Sequence, residues 1–338
     1  MSRLVLKRTV LLTILLAFVF ASLGGGALAK ESLRLAATTH PDHVYTQTAF
    51  KFGEILAKKT NGEIEVKVYP SRQLGNEREQ MEMVGLGTIA FALPPVGLVS
   101  NMAPELAALQ LPFLYDNAEV LSRALQLPVM DKLKATLEPK GVKSLCIGSS
   151  GLRLLMLRDK KVTSLNDMKG LKLRTLQAPI YMETVKAIGA SPAPLPYGEV
   201  YTALQQGVID GTLFDIGAVL LFGFPEIAKK YTRIGYMDLP FMIIMNKGLF
   251  DKYPAATQKA ILEAGNEARD YNIARLQEFD RTADVKLKEL GCEVFKVTDL
   301  PAFKEKVKPI IKEYSQKYPV VAEYVKAVDE LNDKYGQK

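Results

Sequence analysis

The sequence predicts an α/β protein built as two lobes. Three observations carry this. Between Leu33 and Leu93 the apolar residues switch between a period of two and the helical period, in the order strand, helix, strand, helix, strand. That order argues for a parallel sheet with covering helices. From Pro254 to Leu290 a nearly unbroken helical pattern carries Ile261, Leu262, Ala268, Leu276, Ala283 and Leu287. About 37 residues at 1.5 Å each span roughly 55 Å, more than one ordinary domain needs but suited to a beam shared by two. The chain has 338 residues, enough for about two domains.

Taken in order, Leu33–Ala36 reads as a first strand and Tyr45–Thr60 as a helix with Tyr45, Ala49, Phe52 and Leu56 on one face, ended by Asn61-Gly62. IEVKVY, Ile64–Tyr69, alternates as a strand. Asn76 followed three residues later by Glu79 has the form of a capping box opening another helix. Thr88–Leu93 is a third strand, and Glu119–Leu125 a helix whose pattern Pro128 interrupts. Val142–Ile147 and Leu152–Leu157 read as two strands, with Ser149-Ser150-Gly151 turning the chain between them. Strand Leu171–Arg174 precedes helices at Ile180–Ile188 and Glu199–Gln206, and Ile209-Asp210-Gly211 leads into a further strand. Tyr236–Met245 is a long apolar strand, Cys292–Val297 a last one, and Ala302–Tyr335 two charged helices.

The first residues stand apart. Arg3, Lys7 and Arg8 precede the uncharged run VLLTILLAFVFASL, and Ala27 and Ala29 follow two apart. A basic start, a short apolar run and an A-x-A site form a secretory leader, with cleavage expected after Ala29 and the mature chain expected in the periplasm. About 14 apolar residues fall short of the ~20 that a membrane span needs, and no later stretch is long enough, so no stable membrane insertion is expected after cleavage. Three of the 44 basic residues and none of the 37 acidic ones precede Lys30, leaving 41 against 37 and a net of +4. That is no footprint for nucleic acid. Cys146 and Cys292 lie in apolar runs; in an exported chain they could pair, and two buried free thiols fit equally well.

Catalytic hardware is sparse. The only histidines, His40 and His43, flank Asp42 without a third ligand nearby and fit a turn better than a metal site. The sequence shows no nucleophile elbow, zinc-protease motif or phosphate-binding loop, so no enzyme activity, cofactor or metal is expected. Arg174 and Arg153 remain. In GLKLRT, Leu171 and Leu173 face a core, while Lys172 and Arg174 face the other way. Open α/β sheets bind ligands beyond the carboxyl ends of their strands, and a guanidinium is a rigid fork for a carboxylate. A strand that delivers Arg174 to its end and then turns at Pro179 can aim it into a crevice.

Several segments, in order, resemble one family. KKTNGEIEVKVYPSRQLGNERE, GLGTIAFA, LQLPFLYDNAE, DMKGLKLRT and GASPAPLPYGEVYTALQQGVIDGT are similar to successive blocks of the DctP-type receptors of tripartite ATP-independent periplasmic (TRAP) transporters. The resemblance implies a two-lobed, periplasmic-binding-protein-like architecture with a long shared helix and crossing hinge strands, closing on ligand by a hinge. Its lobes would be residues 30–150 plus 240–280 and residues 151–239 plus 281–300, after a leader at 1–29, with helices of 301–338 packing on them. It implies capture of a small carboxylate and delivery to TRAP membrane permease subunits. A sensor for a signalling partner, or an enzyme on the same architecture, are the alternative readings.

The resemblance also implies site residues. Arg174 matches the arginine that grips the substrate carboxylate, Arg153 a second arginine and Tyr197 an aromatic of the cleft; His40, Gln73 and Glu77 lie in loops that face it. The chain departs from the family after its aspartate-glycine pair. Many members place a glutamate and then Asn or Trp there, where this chain has Leu213 and Phe214 followed by Asp215. Loss of the Asn removes a polar contact typical of sugar acids and other hydroxylated ligands, two apolar side chains favour a ligand with a hydrophobic body behind its carboxylate, and loss of the glutamate argues against a cleft-bound cation.

Overall fold

The structure, a computed structural model, describes residues 30–235 and 237–336; the expected leader and its cleavage site lie outside the described residues. Elements β1 (Glu31–Ala36), α1 (Val44–Lys59), β2 (Ile64–Tyr69), α2 (Glu77–Gly85), β3 (Phe91–Ala92) and the single turn α3 (Val96–Val99) form the opening. Helices α4 (Ala118–Ala124) and α5 (Val129–Ala135) lead into β4 (Val142–Leu157). Then come β5 (Lys172–Thr175), α6 (Pro179–Ala187), β6 (Ser191–Pro194), α7 (Val200–Gln205), β7 (Gly211–Asp215), α8 (Ile216–Leu221) and β8 (Lys230–Arg233). The chain returns through β9 (Asp238–Asn246) and α9 (Lys247–Lys252) to α10 (Ala255–Glu289), and closes with β10 (Glu293–Lys296), α11 (Leu300–Lys317) and α12 (Pro319–Tyr335).

The strands run in the order β2-β1-β3-β9-β4-β7-β5-β6, with β8 also on β4 and β10 on β8. Pairing is mixed rather than parallel throughout. β1 is parallel to β2 and β3, and β5 to β6 and β7. β9 and β4 are antiparallel to each other, and β4 is antiparallel to β7 and β8. The reason is the long return through β9, which re-enters the first lobe against the direction of its three opening strands.

β4 is the crossing strand. From Val142 to Leu152 it pairs with β9, and from Arg153 to Leu157 with β7. The turn expected at Ser149-Ser150-Gly151 is therefore absent; one strand passes through, with a register shift between Ser149 and Leu152. Gly151 has φ +88°, a conformation glycine adopts without strain, so the signal that suggests a turn instead permits an irregularity in a continuous strand. Beyond it, Leu155 and Leu157 join the larger core cluster while Leu154 and Met156 join the second. This is the period of two with both faces buried.

α10 is the shared beam, 35 residues. Its Asn272, fully buried, accepts from the Ser149 N–H at 2.8 Å and donates to the Ser149 carbonyl at 3.0 Å, clamping the crossing strand at its irregular point. The capping box at Asn76 and Glu79 is present on α2. Most expected elements differ in extent by a residue or two. Thr88–Leu93 shrinks to Phe91–Ala92, the strand expected from Tyr236 begins at Asp238 (Tyr236 lies outside the described residues), and the C-terminal pair of helices begins at Leu300 rather than Ala302. Cys146 and Cys292 are both free and buried; burial pushes the Cys146 thiol up to about 12. No helix among the described residues is long and apolar enough to cross a membrane.

Candidate functional site

β5 lies between β6 and β7, and Arg174 sits opposite Ala193 and Thr212. Lys172 is exposed, Leu173 enters the core, and Arg174, only 3% exposed, turns to the opposite face. Its Nε donates to the Leu195 carbonyl at 3.0 Å and its carbonyl accepts from Thr212 Oγ1 at 3.2 Å. The guanidinium carbon stands 5.5 Å from the centre of the Phe214 ring. Its Nη2 is buried with no hydrogen-bond partner among the described residues. Burial lowers the Arg174 pKa to about 10, with Glu77 opposing and Arg153 adding to the shift. It stays charged at neutral pH, and a buried cation with an unused donor is costly unless something else completes it.

Arg174 lines a small cavity of about 30 Å³ between the lobes. The second lobe contributes Arg153, Tyr197, Phe214 and Asp215, and the first contributes Thr38, Thr39, His43, Tyr45 and Glu77. Arg153, 5% exposed, spends Nε and Nη2 on the Leu213 carbonyl at 3.1 and 2.6 Å and stands 5.7 Å from the Tyr181 ring centre. Burial lowers its pKa. Tyr197 packs on Phe214, ring centres 5.4 Å apart, and its buried hydroxyl has no partner among the described residues; burial, then Asp215, raises its pKa well above the ordinary value. Burial alone would raise the Asp215 carboxyl, but His43, the Ala218 N–H and Arg153 together hold it below the usual carboxylate range.

The cavity is small because side chains of both lobes meet around it. The Tyr181 ring lies where a side chain on Gly97 would be, Asn101 Nδ2 donates across to the Gln177 carbonyl at 3.0 Å, and His43 Nε2 stands 3.0 Å from Asp215 Oδ1. Larger spaces exist elsewhere. One of 460 Å³ is lined by Phe113, Arg233, Lys296 and Lys304. Its Arg233 is paired with Asp284 and its Lys304 with Asp116, so those two cations are already spent. The small cavity is the better candidate on chemistry, because two guanidinium groups line it.

Of the residues singled out in the sequence, Arg174, Arg153, Tyr197, Phe214, Asp215 and Glu77 come together here. Three do not. Leu213 offers only its carbonyl to Arg153, and its side chain belongs to the core on the other face of β7. His40 stays on the half-exposed turn, its Nδ1 accepting from the Asp42 N–H at 3.2 Å. Gln73 is exposed on the loop before α2. His43, Tyr45, Thr38 and Thr39 escaped the sequence reading. The structure shows what holds His43: it is the N-cap of α1, its Nδ1 accepting from the Tyr45 N–H, and histidine is not among the residues that mark an N-cap in a sequence.

Two α/β lobes joined by a crossing strand and a shared helix, closed over two buried arginines, define the class: a two-lobed solute-binding receptor. The chain belongs to bacterial extracellular solute-binding protein family 7 (DctP), whose profile matches residues 35–317. This is a family of TRAP-transport receptors, not of enzymes, and its members are periplasmic. The chain is 30% identical over 312 residues to the 2,3-diketo-L-gulonate-binding periplasmic protein YiaO of Escherichia coli K12, covering 92% of this chain and 95% of YiaO. It is 30% identical over 292 residues to a solute-binding protein of Verminephrobacter eiseniae, covering 86% and 87%. A TRAP periplasmic solute binding protein from Xanthobacter autotrophicus, solved with bound β-D-galacturonate, superposes with a TM-score of 0.83 at 27% identity, covering 88% of this chain and 98% of that one.

Proposed function

We propose that this chain captures a small organic acid in the cavity between its lobes and hands it to the membrane subunits of a TRAP permease, without chemical change. The observation that carries the ligand class is the Arg174 Nη2, charged, buried and without a partner among the described residues, beside a cavity that residues of both lobes line. A ligand carboxylate would complete it through charge-assisted hydrogen bonds, which are the strong ones, and exclusion of water would strengthen the attraction. Glu77 reaches in from the opposite lobe as an acceptor, suited to a ligand hydroxyl, and Phe214 and Leu176 offer apolar walls. The acid that YiaO is named for binding, 2,3-diketo-L-gulonate, and the β-D-galacturonate bound in the Xanthobacter structure have this combination of carboxylate and hydroxyls. In this reading residues 1–29 direct export and are removed, residues 30–150 with 240–280 and 151–239 with 281–300 are the moving lobes, and 301–338 braces them.

The test has two parts. A thermal-shift screen of D-galacturonate, a C4 dicarboxylate, and branched and aromatic monocarboxylates finds the acid that stabilises the closed form by mass action. Calorimetry then compares wild type with Arg174→Lys, which keeps the charge and loses the fork. Affinity is expected to fall at least about tenfold, each factor of ten being ~1.4 kcal/mol. Unchanged affinity would remove Arg174 from the site.

A further inference from the structure

We propose that His43 is a positioning residue for ligand capture: its Nε2–H, donated across the cleft, holds the Asp215 carboxylate off Arg153 and leaves that cation free for an anionic ligand. The inference rests on the carboxylate reading above. Arg153 and Asp215 are directly opposed in the antiparallel β4–β7 pair, so their side chains leave the same face with Cβ atoms about 5 Å apart. At that spacing, with both groups buried, a carboxylate and a guanidinium pair strongly. Here Arg153 bonds the Leu213 carbonyl instead, and Asp215 Oδ1 accepts from His43 Nε2 at 3.0 Å and from the Ala218 N–H at 2.9 Å.

The imidazole has no choice of role. Its Nδ1 accepts from the Tyr45 N–H at 3.2 Å, so the proton of the neutral ring sits on Nε2, aimed at Asp215. The ring is almost fully buried and meets Tyr45 edge to face, 5.2 Å between centres, while Tyr45 itself is tied by its hydroxyl to the Leu239 carbonyl. Gly217 makes the approach fit: a Cβ there would lie 3.1 Å from Asp215 Oδ1 and 3.3 Å from the His43 ring. His43 belongs to the first lobe and Asp215 to the second. The donor therefore reaches the carboxylate only when the lobes meet, and closure itself releases Arg153 from its opposed partner.

Calorimetry with D-galacturonate, or with the acid of largest thermal shift should it not saturate, tests this on wild type, His43→Ala, His43→Gln and His43→Ala/Asp215→Asn. His43→Ala is expected to weaken binding about tenfold. His43→Gln, which can still present an amide N–H, should keep most of the affinity. The double variant should recover most of the loss, because an asparagine cannot neutralise Arg153; a merely structural loss would not be recovered by a second substitution. Wild-type affinity in His43→Ala, or a double variant no tighter than His43→Ala, overturns the proposal. A wild type that binds no acid in the screen overturns the carboxylate reading instead. Imidazole ¹⁵N spectra of this two-histidine chain then still decide the local geometry, since an Nδ1-protonated His43 overturns its donation to Asp215.

Discussion

Asp215 stays ionised in a buried place because it collects donors faster than burial penalises it: the His43 imidazole and the Ala218 N–H both reach Oδ1. Its folded pKa lies below the ordinary value, while the unfolded one is about 3.9. The sign follows from linkage. The carboxylate's contribution to stability is fully present above pH ~4 and is lost as pH falls through the folded value. Urea unfolding from pH 2 to 7 should therefore show Asp215→Asn less stable than wild type near neutrality, with the deficit shrinking below pH ~4; a deficit independent of pH would contradict it. At this scale the place of Arg174 at a strand end was legible because a period of two and a following proline are local signals, while its role as a ligand residue was an expectation carried by the family resemblance. Asp215 was legible only as a neighbour of Leu213 and Phe214, since its partner arrives from the other lobe.

Between elements, the contact of α3 with α6 is the clearest steric condition for closure. Tyr181, on α6, fills the space over Gly97, so even a methyl group at 97 overlaps the phenol ring. The ring cannot yield easily because it is buried, with the Arg153 guanidinium 5.7 Å away. Gly97→Ala should hold the lobes apart. Small-angle scattering should then show less contraction on adding saturating acid than in wild type, with affinity reduced about tenfold; normal contraction would show that Tyr181 moves aside. Elements with a clean period, such as α1, β2 and α10, were readable because the spacing of their apolar residues is itself the signal. β6, Ser-Pro-Ala-Pro, was not, since two prolines in four residues look like a loop. It exists as an edge strand beside β5.

For the whole molecule, the hinge is β4 held by α10. Asn272 satisfies both the N–H and the carbonyl of Ser149 where the strand's register shifts. Asn272→Leu would leave two buried backbone groups without partners, a loss of roughly 2–6 kcal/mol at one to three per group, measurable as a lower urea midpoint; an unchanged midpoint would mean that water replaces the amide. The sequence by itself determined the alternation of strands and helices, the shared beam and the arginine at the end of β5, because each is written in a periodicity a few residues long. Only the tertiary structure decided that β4 is one strand crossing between lobes, and that His43 meets Asp215, 172 positions away. Such pairings depend on how distant segments are brought together, and no local pattern of side chains records that.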